Sequence, residues 1–115
     1  MSATTLYGIA NCDTVRKARR WLDEHGIEFC FHDVRKDGLS GEKVAQWLAA
    51  VGHERLVNRR SATWRQLPEA KRAGIDNTSA VALLLAQPTL IKRPVLEHGN
   101  TIHVGFSAQD YTNIF

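Results

Sequence analysis

A short β-prone segment, Thr4 to Tyr7, is followed after Gly8 by one amphipathic helical stretch and then by a strictly alternating run, Ile27 to Asp33. That order constrains the fold more than any other feature of the chain. Val15, Ala18 and Leu22 share one face of the helical stretch, Asp13 or Thr14 can cap its start, and Gly26 follows its end. In the run after it, Ile27, Phe29 and Phe31 point one way and Glu28, Cys30 and His32 the other, the pattern of a half-buried strand. Two strands joined through a helix make a parallel crossover.

The middle of the chain reads as helical. Ser40 is a candidate cap for a helix with Val44, Trp47, Leu48 and Val51 inward, closed by Gly52. Thr63 is read as the cap of a short turn through Trp64 and Leu67, and Asn77 or Thr78 as the start of an apolar helix stopped by Pro88. Trp21, Trp47 and Trp64 all fall on apolar helix faces. From Leu90 the character returns to strand, with Arg93 held extended by Pro94. Val95-Leu96 and Ile102-His103-Val104 flank a hairpin connection, Glu97 to Thr101, and Ser107 to Asp110 open a terminal helix. A parallel crossover, a helical block, an antiparallel hairpin and a helix predict an α/β chain with a four-stranded mixed sheet. These outer elements are the plan of a thioredoxin-like core, with a helical insert at about residues 35–88 and a single domain over 1–115.

Composition narrows the class. With 43% hydrophobic and 23% charged residues the chain reads as globular. Its two cysteines, Cys12 and Cys30, exclude a disulfide scaffold and suit a reducing, cytoplasmic setting. The start has no basic segment leading into an apolar one, which predicts no secretory signal. The longest apolar stretch, Ala80 to Ala86, falls far short of the roughly 18 residues of a membrane span. Net charge is +3, with a dense basic cluster at Arg16, Lys17, Arg19 and Arg20 and another at Arg59-Arg60. Such a field attracts anions. No helix-turn-helix signal accompanies it, so neither nucleic acid nor membrane is expected as a partner, and the expected state is a monomer.

Cys12 carries the chemistry. It stands where a strand and short loop hand over to a helix, and there the unpaired amides and the positive end of the helix favour a thiolate. The neighbouring Asp13 carboxylate opposes that. A thiolate is a nucleophile toward sulfur and oxidised electrophiles. Position 15 is valine, so no CxxC is present, and position 18 is alanine, so the C-x5-R phosphatase loop is absent. No GxGxxG or P-loop occurs. An external thiol must therefore complete any cycle. Cys30, read as mid-strand, is placed poorly for a disulfide with Cys12. Cys30-x-His32 is half a metal site without its second half, and no metal is expected.

Leu6-Tyr7-Gly8-Ile9-Ala10-Asn11-Cys12-Asp13-Thr14-Val15-Arg16-Lys17-Ala18 resembles the signature of the arsenate reductase (ArsC)/Spx/YffB family. Ile91-Lys92-Arg93-Pro94-Val95 is similar to that family's second landmark, and Val104-Gly105-Phe106-Ser107 to its YffB- and Spx-type ending. The resemblance implies Cys12 as nucleophile, Arg93 as partner of the thiolate and of an anionic group, and Pro94 as a cis proline shaping the glutathione- or peptide-binding edge. It also makes Asn11, Thr14, Arg16, Arg59 and Arg60 candidates for contacts to substrate or glutathione. Gly105-Phe106 stands where arsenate reductases carry a further arginine, the loop before Cys12 lacks their histidine, and Val15 breaks the Spx redox sensor. The branch implied is YffB-type, a glutathione-dependent thiol reductase with no bound cofactor and glutathione as co-substrate. Its alternatives are an arsenate reductase and a non-catalytic, Spx-like adaptor docking through its basic helix.

Overall fold

A computed structural model describes residues 3–115. The chain divides into two compact units, one made of the residues up to Gly38 together with Arg93–Phe115, the other of Leu39–Lys92.

The first unit holds strands β1 (Thr4–Gly8), β2 (Cys30–Asp33), β3 (Val95–His98) and β4 (Thr101–Val104), with helices α1 (Asp13–Glu24) and α7 (Ala108–Ile114). The sheet order is β2-β1-β3-β4, with β1 parallel to β2 and antiparallel to β3, so the expected four-stranded mixed sheet is present. Its core is Leu6, Val15, Ala18, Leu22, Leu96 and Tyr111, all fully buried. The helix-period residues of α1 meet the strand-period residues of β1 and β3 in one layer. Each leucine buried there contributes about 1.5–3 kcal/mol.

β2 is shorter than the alternation suggested, and the reason is local. Gly26, at φ +67°, ends α1. Its amide donates to Asp23 O, and the Ile27 amide donates to Leu22 O at 3.0 Å. This is a Schellman closure, in which the Ile27 N–H serves the helix end and is not free for a sheet ladder. Pairing with β1 begins only at Thr5↔Cys30. The hairpin is tighter than expected: His98 pairs with Thr101, leaving Gly99-Asn100 as a two-residue loop, with Gly99 at φ +58°.

The second unit holds α2 (Gly41–Val51), three short helices α3 (His53–Leu56), α4 (Ala62–Gln66) and α5 (Glu69–Ala73), then α6 (Asn77–Ala86) and a 3-10 turn over Pro88–Leu90. Val44, Trp47, Leu48, Leu56, Ala80, Leu84, Leu90 and Ile91 form its buried face. Ser40 caps α2 and Gly52 closes it, as the sequence indicated. Two other caps differ from the sequence reading. Ser61, not Thr63, accepts the Trp64 amide at 3.1 Å. Asp76, not Asn77 or Thr78, opens α6 in a reciprocal capping box with Ser79. Leu90 is in the 3-10 turn rather than a strand, and Ile91 makes a single bridge to Val57. Of the three tryptophans only Trp47 is fully buried; Trp21 and Trp64 are half-buried. Among the described residues no helix is long and apolar enough to cross a membrane.

Candidate active site

The site grows from the end of β1. After Gly8 the chain turns, with the Cys12 amide donating to Ile9 O at 3.1 Å, and Cys12 itself becomes the N-cap of α1. Its backbone is extended (φ −91°, ψ 127°), and its carbonyl accepts the Arg16 amide at 2.9 Å, the first helical bond. Asp13 and Thr14 thus lie inside the helix rather than capping it. Among the described residues no side chain caps this end. The first amides of a twelve-residue helix, with the positive end of its dipole, therefore open beside the half-buried sulfur. Arg16 Nη1 sits 3.2 Å from Asp13 Oδ1 in a surface pair, so the carboxylate that follows Cys12 in the chain already has a cation against it.

The opposite side of the same sheet end is built by β3. Tyr7 pairs with Val95, so the antiparallel register brings Pro94 opposite Gly8, the last residue of β1, from which the chain enters the loop carrying Cys12. The Arg93–Pro94 peptide bond is cis, as the resemblance implied. Pro94 is buried and its carbonyl accepts the Gly105 amide at 2.8 Å, tying β3 to the residue that follows β4. Gly105 is at φ +86°, a left-handed conformation suited to glycine. Arg93 is half-buried at the head of β3.

A third wall comes from the turn after β2. A cleft of about 490 Å³ lies between Ile9-Ala10-Asn11, directly before Cys12, and Asp33, Arg35 and Lys36. Asp33 organises both sides. Its Oδ1 accepts the amides of Arg35 at 2.8 Å and Lys36 at 3.0 Å, and its Oδ2 that of Ala10 at 3.4 Å. The Lys36 amide first, with those of Arg35 and Ala10, holds this buried carboxyl below its ordinary value against the opposing effect of burial. Sequence reading missed Asp33, Arg35 and Lys36. The available signal was an acid closing the alternation and running into Val-Arg-Lys-Asp-Gly.

Asn11, Cys12, Thr14 and Pro94 thus gather at one end of the sheet. Arg59 and Arg60 belong to the Leu39–Lys92 unit and are exposed there. Arg59 Nη2 lies 3.3 Å from His53 Nδ1, with its guanidinium 5.4 Å from the Trp64 ring centre. The Arg60 amide donates to Asn58 Oδ1 at 3.1 Å.

Cys30 is the first residue of β2, not mid-strand, and is exposed. It pairs with Thr5, three residues up β1 from the end that leads to Cys12, a spacing of about 10 Å along the strand. Both cysteines are free thiols. Among the described residues no group of three or more histidine, cysteine or acidic side chains is placed to hold a metal ion.

A sequence model of the ArsC family matches residues 7–114. The solved structure of a protein named YffB is 45% identical, superposes with a TM-score of 0.92, and covers 96% of this chain and 97% of its own. A solved arsenate reductase-related protein from Brucella melitensis is 48% identical with a TM-score of 0.79, over 96% of this chain and 92% of that one. The global transcriptional regulator Spx of Lactiplantibacillus plantarum is 30% identical over 91% of this chain and 80% of its own length.

Proposed function

The chain belongs to the ArsC family, and on that footing we propose that it is a glutathione-dependent thiol–disulfide reductase with Cys12 as its nucleophile. The observation that carries the reading is that Cys12 is itself the N-cap of α1, at the sheet end beside the cis Arg93–Pro94 bond. In the first step the Cys12 thiolate attacks the glutathione sulfur of a mixed disulfide. The Cys12–glutathione S–S bond forms, the substrate S–S bond breaks, and the substrate sulfur leaves as a thiolate that takes up a proton. In the second step the thiolate of a second glutathione attacks the adduct, releasing oxidised glutathione and restoring the Cys12 thiolate. The proton lost by that glutathione balances the one gained by the substrate. Arg93 holds an anionic group, and Pro94 offers the edge along which the peptide lies. Guanidinium suits this task because it stays charged and presents a planar donor fork.

The test is intact mass and peptide mapping after incubation with oxidised glutathione, followed by reduced glutathione. One releasable adduct on Cys12, with turnover lost in Cys12→Ser, is the expected result. Because Cys30 is exposed, mapping must separate the two thiols. Turnover retained in Cys12→Ser would sink the reading.

A second reading rests on the Spx relative and on the exposed Lys17 and Arg20 of α1. In it the chain is an adaptor that docks this basic face on an acidic partner. Capture of the partner by Cys12→Ser, but not by a variant with Lys17 and Arg20 reversed to Glu, would favour docking over catalysis.

A further inference from the structure

The cleft before Cys12 carries two cations that the reductase chemistry leaves unused. Arg35 and Lys36 line it and are exposed, and among the described residues neither side chain has a hydrogen bond or ion pair. Their backbones, by contrast, are held firmly. Asp33 Oδ1 takes both of their amides, the Asp33 amide donates to Asp37 Oδ2 at 2.9 Å, and the Asp37 amide donates to Asp33 O at 2.8 Å. His32 Nε2 reaches Gly38 O at 2.7 Å, and Gly38 sits at φ +81°, where a side chain would be strained. The two carboxylates of the turn, Asp33 and Asp37, are thus engaged with backbone amides, while its two cations are exposed at the cleft, the Lys36 charge acting on Asp33 without a direct ion pair.

The same Asp33 also reaches the other wall. Its Oδ2 accepts the Ala10 amide, so one carboxylate fixes the turn that presents the cations and the loop that presents the thiol. Asn11, next to Cys12, adds an amide donor to the cleft. Two exposed cationic side chains on a fixed backbone, lining a cleft beside Cys12, suit a negatively charged group on a small reactant.

The geometry points to a carboxylate-binding subsite in which Arg35 and Lys36, set against the Cys12 loop by Asp33, select a carboxylate-bearing thiol as the reactant at Cys12. This rests on the reductase reading for the reaction, but not for the binding. Substitution at these positions spares the fold, because Asp33 bonds their backbone amides and not their side chains.

The deciding experiment is an NMR titration of the full chain with S-methylglutathione, which carries both carboxylates but has no thiol to react. The wild type is expected to show saturable shifts at the amides of Ala10, Asn11 and Arg35. Affinity is expected to fall about three- to tenfold in Arg35→Ala/Lys36→Ala, and further in Arg35→Glu/Lys36→Glu. The diethyl ester of the same probe should not bind. Absence of shifts in the wild type, or equal affinity in all three proteins, overturns the subsite. Adduct mapping at Cys12 decides the reductase reading separately: binding without an adduct upholds the subsite and ends that reading, and an adduct without binding does the reverse.

Discussion

A Cβ placed on Gly8 would lie 2.7 Å from a methyl of Val15. The Val15 side chain of α1 therefore packs directly on the backbone of β1 at Gly8, four residues before Cys12. Gly8 has no positive φ, so alanine is acceptable to the backbone there and only the contact opposes it. Because Val15 is a core residue with no exposure, it has little room to retreat. Gly8→Ala is expected to cost about 1–3 kcal/mol in urea unfolding, the range of an overpacked core. Part of that loss should be recovered in the double variant Gly8→Ala/Val15→Ala, measured as a double-mutant cycle. Unchanged stability in Gly8→Ala would show that α1 shifts freely on the sheet.

What the sequence disclosed and what it hid follow one physical division. Val15, Ala18 and Leu22 were legible because burial imposes a period, and Cys12 because a strand-to-helix junction is written in that change of period. Caps were harder, since Ser61 and Thr63, or Asp76, Asn77 and Thr78, are all able to cap. The backbone angle at each residue decides among them, and that is set by packing. Asp33 was the hardest. Its bond to the Ala10 amide exists only because parallel pairing brings Gly8 opposite Asp33, a relation between residues 25 apart in sequence.

The capping choice is testable. Ser61 has an extended backbone and accepts the Trp64 amide, whereas Thr63 lies inside α4. Ser61→Ala should therefore destabilise the protein by about 1 kcal/mol. Thr63→Ala should stay within about 0.5 kcal/mol, as an ordinary helix substitution does. Urea melts of the two variants check this, and the reverse order would return the cap to Thr63.

Tyr111 is fully buried, and among the described residues its hydroxyl has no hydrogen-bond partner. Burial pushes its phenol well above the ordinary tyrosine range. The ring makes edge contacts to Trp21 at 5.5 Å and to Phe106 at 4.7 Å between centroids, and these do not need the oxygen. Tyr111→Phe is therefore expected to match the wild type or exceed it by about 1 kcal/mol, since a desolvated hydroxyl is removed without breaking a bond. Tyr111→Ala should lose about 3–5 kcal/mol with the ring. Denaturant unfolding measures both, and a loss above about 1 kcal/mol in Tyr111→Phe would reveal a partner for the hydroxyl.

Asp33 makes acid stability a readout of the cleft. Backbone amides, that of Lys36 foremost, hold its carboxyl below the ordinary range, so the folded value lies below the unfolded one. A carboxyl shifted in that direction contributes stability that is fully present above the unfolded value, near pH 4, and is lost as pH falls through the folded value. Asparagine keeps one acceptor oxygen but has no charge, and its NH2 would face an amide N–H. Asp33→Asn should therefore melt at lower temperature near neutral pH, with the gap to the wild type closing as the solution is acidified. Asp76, whose carboxyl is also held low by the Ser79 amide, titrates in both proteins and cancels from the difference. Thermal melts of the pair from neutral pH to about pH 3 give that difference directly. Melting temperatures that stay a constant distance apart over the acid range would mean that the Asp33 charge does not hold the two walls of the cleft.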